Sequence, residues 1–173
     1  MQVTLASLFL LAHLMSIGAV TPYDDPWTET CANGYSIYRV RSSHSNHHED
    51  RTWSFNCRYD SKIRSSCQWS GYVNHYDESI LYQCQNGVIA GVHSKHHNRY
   101  EDRRFSFKCC HTRKNYQYNC HWTSNVNDWD RRMDYIVPRG YFLTGAKSFH
   151  SNRKEDRLWK FLICQHMWGV IQY

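Results

Sequence analysis

Past its first twenty residues, the 173-residue sequence has no apolar run long enough to cross a membrane. It has no Asn-x-Ser/Thr sequon, so no N-linked glycan is expected. No long stretch carries a helical period, which excludes a helix-built domain. A Gly-rich phosphate loop, a nucleophile elbow and a metalloprotease motif are all missing. Ser, His and Asp are scattered rather than gathered into a catalytic set, so neither an enzyme nor a cofactor is expected. No disordered basic tail carries the net charge of +6, so a folded surface must. Such a surface favours acidic polysaccharide, sulfated glycan, acidic protein or anionic lipid over nucleic acid for an exported chain.

What is present begins with Val3 to Ile17, a run broken only by Thr4, Ser7, His13 and Ser16. It is too short for a membrane span and suits the apolar part of a signal peptide. Ser16, Gly18 and Ala19 supply the small residues of a cleavage region, although no Lys or Arg precedes the run. Cleavage after Gly18 or Ala19 is expected, leaving a signal peptide at 1–19 and one secreted domain at 20–173. Its length, roughly 150 residues, supports a sizeable core. Eight cysteines fit an oxidising compartment.

One unit recurs three times. Glu49-Asp50-Arg51-Thr52-Trp53-Ser54-Phe55 returns as Glu101-Asp102-Arg103-Arg104-Phe105-Ser106-Phe107 and as Glu155-Asp156-Arg157-Leu158-Trp159-Lys160-Phe161. His44, His96 and His150 stand five residues before each Glu, and Ser42, Ser94 and Ser148 two residues before those. Tyr23-Asp24, Tyr76-Asp77 and Trp129-Asp130 also correspond, as do Val73-Asn74 and Val126-Asn127. The repeats are expected at about 23–66, 67–120 and 121–173. Trp53, Phe55 and Cys57 alternate with polar residues, as do Phe105, Phe107, Cys109 and Trp159, Phe161, Ile163, which is strand period. A second strand per unit is expected through Ile37, Ile89 and Leu143, opened by Asn33-Gly34, Asn86-Gly87 or Arg139-Gly140 turns. The fold predicted is an all-β, disulfide-bonded single domain of three pseudo-symmetric β-hairpin repeats, trefoil-like or prism-like.

The repeat also constrains the cysteines. Cys31 and Cys57 bracket the first hairpin and Cys84 and Cys109 the second, while Val137 and Ile163 replace both in the third. Joint replacement is the mark of a bonded pair, which predicts Cys31–Cys57 and Cys84–Cys109. The remaining four then pair as Cys67–Cys110 and Cys120–Cys164. Each bond would be worth on the order of 3 to 4 kcal/mol. No thiol is left over for catalysis.

These motifs resemble those of the dermatopontins. The resemblance rests on the Asp-Arg-x-Trp-x-Phe units, the segments Trp69 to Asn74 and Trp122 to Asn127, the adjacent Cys109-Cys110, and Tyr23-Asp24-Asp25-Pro26-Trp27. It covers nearly the whole mature chain. It implies a small extracellular matrix protein, in a family linked to collagen fibril assembly, proteoglycan (dermatan sulfate) binding and cell adhesion. Invertebrate relatives include shell-matrix proteins, agglutinins and a cytotoxin. The chain departs from vertebrate members in being basic, in lacking one further expected cysteine pair, and in having Phe105 where Trp stands in the motif. These departures point to an invertebrate-type member with an anionic glycan as ligand, or to a defensive agglutinin that reads sugars through repeated sites.

Several residues carry candidate roles. Arg51, Arg103 and Arg157 are either equivalent anion contacts or structural partners of nearby acids; Asp50, Trp53, Asp102, Phe105, Asp156 and Trp159 are mostly structural. Lys95, Arg99, Arg103 and Arg104 form one glycan-binding candidate group; Arg131, Arg132, Arg153 and Lys154, with Arg139 nearby, form a more dispersed second. His44-Ser45-Asn46-His47-His48 and His93-Ser94-Lys95-His96-His97 offer metal-ligand types, but the clusters are out of register and no metal is expected. His44, His96 and His150 are instead expected to hydrogen-bond within their hairpin loops. Tyr23, Tyr76 and Tyr100 each precede two acidic residues, a hint of sulfation, strongest for Tyr23 in a free N-terminal segment.

Overall fold

A computed structural model describes residues 19–112 and 115–168, so the leader expected at 1–19 lies almost wholly outside the described residues. Each unit contributes a short strand followed by a long hairpin. The short strands are β1 (Trp27–Thr30), β5 (Ile80–Gln83) and β9 (Met133–Ile136). The hairpins are β2 (Tyr35–Ser45) with β3 (Asp50–Tyr59), β6 (Gly87–His97) with β7 (Asp102–Thr112), and β10 (Phe142–Ser151) with β11 (Asp156–Trp168). Two connecting strands, β4 (Ile63–Trp69) and β8 (Asn115–Trp122), complete an all-β molecule with no helix among the described residues. The hairpins run further than the polar composition of Ser43 to Glu49 suggests, because only residues 46–49 make the turn.

The short strands do not pair with their own hairpins. β1 pairs with β6 of the second unit, β5 with β10 of the third, and β9 with β2 of the first, always antiparallel. Trp27, Ile80 and Met133 thereby face Ser94, Ser148 and Ser42 in equivalent registers. The resulting sheets have the orders β1-β6-β7-β4, β5-β10-β11-β8 and β3-β2-β9, and β2, β6 and β10 contact one another in pairs. Three sheets thus close around a pseudo-threefold axis, and each unit is locked to the next.

Local irregularities repeat with the same symmetry. The register of each hairpin shifts between Ile37 and Arg39, Ile89 and Gly91, and Leu143 and Gly145. A bulge of this kind leaves one residue out of the ladder. The freed carbonyls of Tyr38, Ala90 and Thr144 each accept the N–H of Val137, Cys31 and Cys84, at 2.8 Å. The bulge therefore anchors the end of the incoming short strand.

The core lies on the axis. Trp53, Phe105 and Trp159 are each no more than 4 % exposed and meet edge to face, with centroids 5.9, 5.2 and 4.9 Å apart. Four disulfides surround them: Cys31–Cys57, Cys84–Cys109, Cys67–Cys110 and Cys120–Cys164. Val137 and Ile163 fill the position of the first two pairs in the third unit, both buried. In the first unit Arg58 stands where Cys110 and Cys164 stand in the others, and its guanidinium donates to the Tyr141 carbonyl.

Among the described residues, the outer edge of β3 has no counterpart of β4 or β8. Thr21 does that work: its N–H bonds the Trp53 carbonyl at 2.9 Å and its hydroxyl accepts the Trp53 N–H at 2.8 Å. Asn74 and Asn127 accept the N–H of Phe105 and Trp159 in the same way. The N-terminal segment is therefore part of the fold, and Tyr23 is half-buried and stacked on His48 at 4.4 Å rather than free.

Candidate functional site

The repeated Glu-Asp-Arg triplets meet at one end of the axis. Arg103 reaches across to Asp50 of the first unit, with Nε and Nη2 both 2.7 Å from its carboxylate. Arg157 holds Asp102 at 2.6 Å and Arg51 holds Asp156 at 2.5 and 2.8 Å, closing the ring. Two parallel charge-assisted bonds per pair fix both distance and orientation. All six side chains are at most 5 % exposed. Each Asp also accepts a backbone N–H, from Asp24, Asp77 or Asp130. Each arginine is committed to an aspartate of the neighbouring unit, not of its own triplet.

Around this ring the end of the axis is acidic. Glu49, Glu101 and Glu155 border the narrow cavity above the aromatic triad. All three have left-handed backbone, with φ of 48°, 41° and 42°, as do Asp24, Asp77 and Asp130. Non-glycine residues adopt that region at a cost of about 1 kcal/mol or more. Burial, reinforced by Glu49, Asp77, Glu101 and Asp102, pushes the Glu155 carboxyl up to about 7. Burial also raises Glu101, with Glu49, Asp24 and Asp50 adding and His96 opposing. An anion would meet mostly carboxylates here, and Arg51, Arg103 and Arg157 are already paired with aspartates.

The equivalent histidines are buried beside this ring. His44 hydrogen-bonds Asn46 in its own loop at 3.1 Å and the Glu155 carbonyl at 3.0 Å. The expectation of loop hydrogen bonds fails for His96 and His150, whose four ring nitrogens have no hydrogen-bond partner. Burial, with Arg157 adding, lowers the His150 pKa, and Asp102, Asp77 and the Glu101 backbone oppose it. Three Asp–Asp–His groups result, one at each seam between units, and among the described residues these are the groups that could hold a metal.

The basic candidates separate. Arg103 leaves the glycan set, because it is 3 % exposed and spent on Asp50. Lys95 and Arg104 face each other across β6 and β7, and Lys95 and Arg99 are exposed. Arg104 lies over Tyr72 at 4.2 Å and Tyr76 at 5.0 Å. Tyr76 stacks on Tyr100 at 5.1 Å, and Tyr72 and Trp69 both pack near His93. Trp69, Tyr72 and Tyr100 remain 39–42 % exposed. The second unit thus presents open aromatic faces interleaved with fixed positive charge. Charge recognises sulfate or carboxylate, and aromatic faces pack against sugar rings.

The second basic group is not gathered. Arg131, Arg132 and Arg153 are exposed, but Lys154 is paired with Asp130 at 3.0 Å. Sequence reasoning missed Trp69, Tyr72 and the tyrosine stack. The visible signal was the aromatic spacing between Trp69 and Tyr76; the missing information was that β4 lies beside β7 and carries it to Arg104.

Comparison with known proteins supplies the family. A family model described as Dermatopontin matches residues 21–168. The chain is 43 % identical to the Hemagglutinin/amebocyte aggregation factor of Limulus polyphemus, over 84 % of this chain and 86 % of that protein. It is 39 % identical to Millepora cytotoxin-1 of Millepora dichotoma, over 84 % of this chain but only 65 % of that protein. It is 37 % identical to the Dermatopontin of Biomphalaria glabrata, over 81 % of this chain and 95 % of that protein. No solved structure gives a significant match.

Proposed function

The chain belongs to the dermatopontin family, and on that premise we propose that it is a secreted, non-enzymatic matrix protein that binds acidic glycan or proteoglycan. Collagen or another matrix protein and the cell surface are the partners this role would bring together. The observation that carries the reading is the surface of the second unit, where Arg104 is held over Tyr72 and Tyr76 beside exposed Lys95. A cation held on aromatic rings has few rotamers left to lose, which favours binding over a mobile lysine.

A second reading, a defensive agglutinin, is favoured by the name and 43 % identity of the Limulus relative. Agglutination needs more than one glycan-holding surface. The positions equivalent to Tyr72 and Arg104 are Asn125 and Leu158 in the third unit, and Thr52 stands for Arg104 in the first. Among the described residues the aromatic-basic surface occurs in one unit, so cross-linking would need a second copy or a second kind of site.

A glycan array of the mature protein, read at low and physiological salt, tests the proposal. Retention of sulfated glycosaminoglycans that weakens with salt is the expected result. Binding to a neutral sugar that ignores salt would replace the matrix reading with the agglutinin. Failure to bind any acidic glycan at low salt would refute the matrix reading.

A further inference from the structure

The seams between units hold a second constellation, separate from the basic surface and independent of the glycan reading. At the seam of the first and second units His96 faces Asp24 and Asp50; at the seam of the second and third His150 faces Asp77 and Asp102. In each group one donor atom per residue lies within 4.8 Å of the others. Both imidazoles have 1 % side-chain exposure, and none of their ring nitrogens has a hydrogen-bond partner. Asp24 Oδ1 at the first seam and Glu155 Oε2 at the second are likewise buried without a partner. An unsatisfied buried polar atom costs about 1–3 kcal/mol, so repetition at two equivalent places calls for a reason.

The spacings suit ligands that share one cation. His150 Nδ1 is 3.4 Å from Asp77 Oδ1, and His96 Nδ1 is 3.8 Å from Asp24 Oδ1. Two ligands on a tetrahedral cation with bonds of about 2.1 Å stand roughly 3.4 Å apart. Closing the first seam by a few tenths of an ångström is within side-chain adjustment. Each seam also keeps one carboxylate that no arginine neutralises. Asp50 and Asp102 are each matched by an arginine, which leaves the negative charge of Asp24 and Asp77 for an incoming cation.

We propose that these two seams are binding sites for a divalent first-row transition cation, held by one imidazole nitrogen and two aspartates. The nitrogen ligand favours zinc or its neighbours over calcium and magnesium, which take oxygen. The third seam repeats the residue types with His44, Asp130 and Asp156, but both nitrogens of His44 are engaged by Asn46 and Glu155. It is not a site. Each cation would join two units, so binding would reinforce the closure of the ring.

The test uses the whole mature chain, stripped with a chelator, equilibrated with zinc chloride and desalted, with zinc counted by elemental mass spectrometry. About two zinc ions per chain are expected, together with a rise in melting temperature when zinc is added. Asp24→Asn and Asp77→Asn should each remove one ion. Asparagine tolerates the left-handed backbone at φ of 61° and 64°, so these variants keep the fold. The combined variant should retain none and lose the zinc-dependent melting shift, whereas Asp130→Asn should bind like the parent. A parent chain that retains no zinc, or a folded combined variant that retains as much as the parent, overturns the assignment.

Discussion

Arg103 and Asp50 are each nearly sealed from solvent, and each is the other's main partner. Arg103→Ala would leave the Asp50 carboxylate buried with little more than the Asp24 N–H. The expected loss is about 3–5 kcal/mol, read from chemical denaturation, whereas Lys95→Ala on the exposed face should stay within about 0.5 kcal/mol. His166 supplies a pH dependence. Burial, with Lys62 adding and Asp60 opposing, lowers its pKa from 6.5 to about 4. Between those values the unfolded chain takes up a proton that the folded chain refuses, so this group erodes stability as pH falls from 6.5 toward 4 and adds nothing further below. His166→Gln should flatten the denaturation midpoint over that window; an unchanged slope would place the loss elsewhere. The residue types of this ring were legible in the sequence, since the triplets recur in register. Their partners were not, because a repeat gives every Asp the same three arginines to choose from.

The hairpins were legible as elements because Trp53, Phe55 and their copies alternate with polar residues. The short strands were not: four residues such as Ile80–Gln83 carry too little pattern, and nothing local says that β5 leaves its own unit for β10. That crossing is testable at Gly145. A Cβ built there would lie 2.6 Å from the Tyr82 carbonyl of β5 and 3.1 Å from Leu162 Cβ. Gly145→Ala should cost about 1–3 kcal/mol by forcing β5 away from β10, visible as a lower melting temperature and as faster amide exchange in residues 80–83. Unchanged exchange there would contradict the pairing. Cysteine pairing could be read from Val137 and Ile163, since losing one partner without the other would strand a thiol.

At the scale of the molecule, the acidic end of the axis and the basic-aromatic face of the second unit divide the charge. The net charge of +6 is carried outside the neutralised ring of three Arg–Asp pairs. Composition announced a positive surface but could not place it, because two of the apparent glycan contacts, Arg103 and Lys154, are committed to aspartates. What remains gathered is Lys95, Arg99 and Arg104 with the tyrosines. The most direct measurement is elution from immobilised heparin by a salt gradient. It would compare the mature protein with a Lys95→Ala, Arg99→Ala, Arg104→Ala variant and with an Arg131→Ala, Arg132→Ala, Arg153→Ala variant. The first variant should leave the column at markedly lower salt while the second elutes near the parent. Equal elution of parent and first variant, or a loss confined to the second, would contradict the glycan reading.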